Sequence, residues 1–97
     1  MSLDHRQLAQ AHVDALIARL EAEPGISGPI IDECAALSRA IGAFHMEGIR
    51  FRMYNVDRLF HKDPGLPAEA VTLFADARRE LEAAGFHTRS HQAPTRT

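Results

Sequence analysis

Two clusters of proline and glycine, at 24–29 and 63–67, are the strong breaks in a sequence whose apolar residues otherwise recur at helical spacing. The first reads Pro24-Gly25-Ile26-Ser27-Gly28-Pro29 and the second Asp63-Pro64-Gly65-Leu66-Pro67. No stretch sustains the two-residue alternation of a half-buried strand, and nothing repeats at solenoid periods. Alanine and leucine, both strong helix formers, dominate the apolar residues, while β-branched residues are scattered. The chain therefore reads as all-α. The breaks predict an antiparallel three-helix arrangement, about 4–23, 29–62 and 67–84, within one domain spanning 1–87. Residues 88–97 are polar and are expected to form a loose tail.

Each flanking helix carries a clear stripe. Leu8, Ala9, Val13, Leu16, Ile17 and Leu20 line the first, with Asp4 or Ser2 available as its N-cap. Ala70, Val71, Phe74, Ala77, Leu81 and Ala84 line the third. Gly85 then stands where a left-handed residue ends a helix. Phe86 follows it, placed to touch Leu81 as in a Schellman stop.

The middle segment is the longest, about 33 residues and ~50 Å if helical throughout. Its stripe shifts along the way. Ile30, Cys34, Leu37, Ile41 and Phe44 share one face, whereas Ile49, Met53, Val56 and Phe60 share another, turned by roughly a quarter of the circumference at 100° per residue. The economical reading is one long helix that exchanges partners near Gly42–Gly48, the first helix covering its first half and the third its second. The alternative is a break at Gly42 or Gly48, because glycine costs a helix interior about 1 kcal/mol relative to alanine.

Phe44, Phe51 and Tyr54 fall on a side that neither short helix covers. Exposed apolar clusters mark contact surfaces, so the sequence predicts a homodimer that pairs the long helices into a larger bundle. Phe44, Gly48, Phe51, Arg52 and Tyr54 are the predicted interface, with Arg52 expected to meet a carboxylate there.

Six histidines in 97 residues raise a second reading. Folded antiparallel, the helices would bring His5, His12, His45 and His87 toward one end, with Glu33 and Glu47 as possible carboxylates. Neutral imidazole is a common ligand for divalent transition metals. No pair, however, has the three- or four-residue spacing of a helical metal motif. Half-buried histidines hydrogen-bonded to their neighbours are the simpler expectation, and no cofactor is assigned. A phosphoryl-accepting role for His45 is disfavoured by the negative charge of Glu47 beside it. Cys34, within an apolar stripe, reads as a packed thiol rather than a nucleophile.

The net charge of −2 and the acidic residues among Arg50, Arg52, Arg58 and Lys62 argue against nucleic acid as a partner. No segment approaches the ~20 apolar residues of a membrane span. A single cysteine excludes an internal disulfide and suits a reducing compartment, so the expectation is cytoplasmic. Together these readings favour a non-enzymatic helical protein that self-associates and contacts a protein partner. A bundle binding a metal or small ligand through the four histidines is the alternative.

Overall fold

Asp4 opens the first helix through a reciprocal cap. Its carboxylate accepts the Gln7 N–H at 2.8 Å while the Gln7 side chain accepts the Asp4 N–H at 3.0 Å, so two otherwise orphaned donors are satisfied at once. The computed structural model describes residues 4–86, and these form four helices: α1 (His5–Glu21), α2 (Gly28–Gly42), α3 (Met46–Lys62) and α4 (Ala68–Ala83). The described residues contain no strand. The predicted tail at 88–97, and His87, lie outside them.

The all-α class holds, but the arrangement has four helices rather than three. The long helix expected over 29–62 is interrupted at 43–45, where α2 ends and α3 begins. The shift of stripe explains why. In one continuous helix, the Ile30–Ile41 and Ile49–Phe60 stripes would face about a quarter-turn apart and need different partners. With the chain reversed at 43–45, α3 lies antiparallel against α2, and Glu33 of α2 meets Arg52 and Asn55 of α3. Ile30, Cys34, Leu37 and Ile41 then merge with Ile49, Met53 and Val56 in one buried cluster. Each large side chain so buried contributes roughly 1.5–3 kcal/mol, which outweighs the cost of ending a helix.

Each helix runs antiparallel to the one before it. Asp14 accepts a hydrogen bond from Ser38 at 2.7 Å across α1 and α2. The closing contact is between α4 and α1, pinned at its two ends by His5–Glu80 and Arg19–Glu69. That register brings Ala9 level with Ala77, and Leu16 level with Ala70. All four are fully buried, and the small residues let the two backbones approach closely. This is the most extensive helix pair in the fold. The third segment was expected to cover the second half of the long helix. Instead α4 packs mainly on α1 and reaches α3 through longer side chains, the Phe60 and Phe74 rings 5.2 Å apart and Arg78 2.8 Å from Asp57.

α4 ends as its sequence predicts. Gly85 has φ +100°, Gly85 donates to the Glu82 carbonyl and Phe86 to the Leu81 carbonyl, and Phe86 is buried. These bonds are the paired closures of a Schellman stop.

Candidate interaction surface

The reversal between α2 and α3 is built from the same device with a less usual residue. Phe44 donates to Ile41 O and His45 donates to Ala40 O, the two closures of a Schellman stop. Phe44 occupies the left-handed position at φ +56°. A side chain there costs about 1–2 kcal/mol relative to glycine. Neighbours hold it in place. Arg6 of α1 donates to Ile41 O at 3.0 Å, a second donor to the carbonyl that Phe44 already closes, and its guanidinium lies 5.4 Å from the centre of the Phe44 ring. The Phe44 ring also meets Phe86 edge-on at 5.8 Å. The two helix stops therefore touch each other.

His45 turns the end of α2 into the start of α3. Its Nδ1 accepts the Gly48 N–H at 2.9 Å, so the ring serves as N-cap and its proton resides on Nε2. Gly48 is required for that contact, because a Cβ at this position would collide with His45 Nδ1. Gly48, predicted as an interface residue, thus has a local role and is half-buried.

Four large apolar side chains stand exposed among the described residues, and three of them lie at this junction and on the first half of α3: Phe44 (63%), Met46 (60%) and Phe51 (43%). Phe44, Met46 and Phe86 line a shallow cavity of about 340 Å³ together with the start of α1. Phe51 points away from the core on the outer face of α3. Tyr54 is half-buried one turn further on and lines a second groove of about 310 Å³ with Asp57, Arg58, His61 and Lys62. The predicted interface residues therefore sort into two neighbouring places: Phe44 at the helix junction, and Phe51 and Tyr54 on α3. Met46 belongs with them and was not anticipated.

Arg52 has its carboxylate within the chain rather than across an interface. Its Nη1 donates to both Glu33 oxygens, at 2.8 and 3.2 Å, and Asn55 donates to the same carboxylate at 3.2 Å. The guanidinium also lies 5.3 Å from the centre of the Phe51 ring, which orients that ring. Arg52 supports the surface from the side and stitches α3 to α2.

Of the four histidines predicted to form a site, His5, His12 and His45 fall among the described residues. His5 Nδ1 lies 2.6 Å from Glu80, His45 Nδ1 caps α3, and half-buried His12 has no hydrogen-bond partner among the described residues. His87 lies outside them. No group of three or more histidine, cysteine, aspartate or glutamate side chains among the described residues is placed to hold a metal ion. Cys34 is fully buried, and burial pushes its thiol up from an ordinary 9.0 to about 12, reinforced by the Glu33 charge. A thiol so protonated is a core residue rather than a nucleophile.

No helix of the described residues is long and apolar enough to cross a membrane. No family model, curated protein or solved structure matches the chain.

Proposed function

We propose that this chain is a small non-enzymatic helical protein that acts by association, first with a second copy of itself. The observation that carries the reading is the concentration of exposed Phe44, Met46 and Phe51 within eight residues of sequence. A chain of 97 residues buries a modest share of its surface, and it has little reason to leave two phenyl rings in water unless they meet a partner. Homodimers are the commonest assemblies of soluble chains, and a twofold interface uses one patch twice. Among the described residues the buried side chains are apolar, and Cys34 is held as an inert thiol. A lone cysteine fits a reducing compartment, and the cytoplasm is the proposed location. A further protein partner would bind the faces that the dimer leaves open.

Sedimentation velocity over a hundredfold range of concentration tests the proposal. A mass twice the 10.7 kDa of one chain at tens of micromolar is expected. A single species at the mass of one chain throughout that range would overturn it.

A further inference from the structure

The outer face of α3 carries a particular order of residues. Glu47, Phe51, Tyr54 and Arg58 succeed one another at steps of four, three and four, so they form one line along the helix, opposite the Ile49–Met53–Val56 stripe buried in the core. Glu47, Phe51 and Arg58 are exposed, and Tyr54 is half-buried. The line has a centre of symmetry. Its acid stands at one end, its base at the other, and its two aromatic rings between.

We propose that this line pairs with its own copy in a second chain, with the two α3 helices antiparallel. The inference rests on the self-association proposed above and adds its partner surface and register. About the midpoint of Phe51 and Tyr54, the twofold operation brings Phe51 level with Tyr54 of the second copy and Glu47 level with Arg58 of the second copy. Two opposite-charge pairs then close the interface, one at each end, about 16 Å apart at 1.5 Å per residue. A parallel pairing would set Glu47 against Glu47 and Arg58 against Arg58, which repel. Antiparallel helices also oppose their macrodipoles favourably.

Two further observations agree with this register. Arg58 has no ion-pair partner among the described residues. Glu47 has one in Arg50 at 3.4 Å, but that pair is exposed and so weak, and a carboxylate can accept from a second arginine. The groove beside Tyr54, about 310 Å³ and lined with Arg58 and His61, lies along the second half of α3. On an antiparallel pairing it stands opposite the first half of the other α3, where Phe51 projects. A ring faces a groove on both sides of the axis.

The test is a charge swap, read as the dimer dissociation constant at low salt, with helical circular dichroism confirming the fold of each variant. Glu47→Arg and Arg58→Glu are each expected to weaken the dimer by at least about tenfold, since each turns two attractive pairs into repulsive ones. The double variant is expected to return to within about threefold of wild type. Arg58→Glu lies away from the helix terminus and so separates the interface from any effect on the cap of α3. Unchanged singles, or a double variant weaker than either single, would overturn the pairing while leaving self-association standing. A wild-type chain that is monomeric at tens of micromolar would remove both.

Discussion

The chain stops two helices with the same pair of backbone hydrogen bonds, once at Phe44 and once at Gly85, and only the second stop is built from the expected residue. At Gly85 the left-handed backbone costs little because there is no Cβ, and buried Phe86 follows to seal the end against Leu81. At Phe44 the same conformation carries a large ring that is 63% exposed. The residue after it, His45, caps the next helix instead of covering the last one. One stop therefore terminates the fold, whereas the other redirects it and holds an apolar ring at the surface. A strained residue with an exposed apolar side chain suggests a contact that the monomer leaves unmade.

Substitutions at the two stops should separate these roles, measured by denaturant unfolding at one low protein concentration. Phe86→Ala should have the largest effect, a loss of about 3 kcal/mol, as expected for deleting a buried ring. Phe44→Ala keeps the left-handed backbone and removes an exposed ring, so its loss should be below about 1 kcal/mol. Equal losses at the two positions would show that Phe44 is as much a part of the core as Phe86. Gly85→Ala should destabilise by about 1–2 kcal/mol, the ordinary cost of a Cβ at positive φ. Phe44→Gly should do the reverse and be neutral or stabilising by up to about 1 kcal/mol, as relief of strain competes with the greater freedom of glycine in the unfolded chain.

That contrast also explains what the sequence made legible. The stop at Gly85 could be read because glycine and a following apolar residue are its usual signature. Both flanking helices, their stripes and the Asp4 cap were equally open to sequence reasoning, since spacing and capping residues are local signals. The reversal at 43–45 was harder, because no residue there has the chemistry of a break. Gly42 and Gly48 flank it, but the left-handed position falls to Phe44, and a histidine serves as N-cap. The signal that did exist was the quarter-turn shift of the stripe between Ile41 and Ile49, which suits two helices better than one. The exposure of Phe51 follows from the stripes, whereas that of Phe44, which continues the Ile30–Ile41 stripe, comes with the left-handed turn after α2. The pairing of Arg52 with Glu33 does not follow from the stripes, because it depends on the fold-back of α3, and neither does the Arg6 bond to Ile41. The histidine contacts are of both kinds: His45 caps its own helix through Gly48, a local signal, whereas His5 meets Glu80 of α4, which depends on the fold-back.

The junction itself offers a finer test through a double-mutant cycle. His45→Ala removes the cap of α3 and should cost about 1 kcal/mol. Gly48→Ala alone should also destabilise, despite the better helix propensity of alanine, because the new Cβ displaces the His45 ring. Once His45 is already alanine, the Gly48→Ala change should turn stabilising, by up to about 1 kcal/mol. A Gly48→Ala effect of the same size in both backgrounds would show that the two residues act independently.

The central claim is that the exposed aromatic face of α3 meets a second copy of the chain. Light scattering of the wild type beside Phe51→Glu, both at tens of micromolar, addresses it most directly. Phe51 points outward, so the variant should keep its helical content while its mass falls from two chains to one. A wild type of one chain, or a folded Phe51→Glu variant that remains at two, would contradict the account.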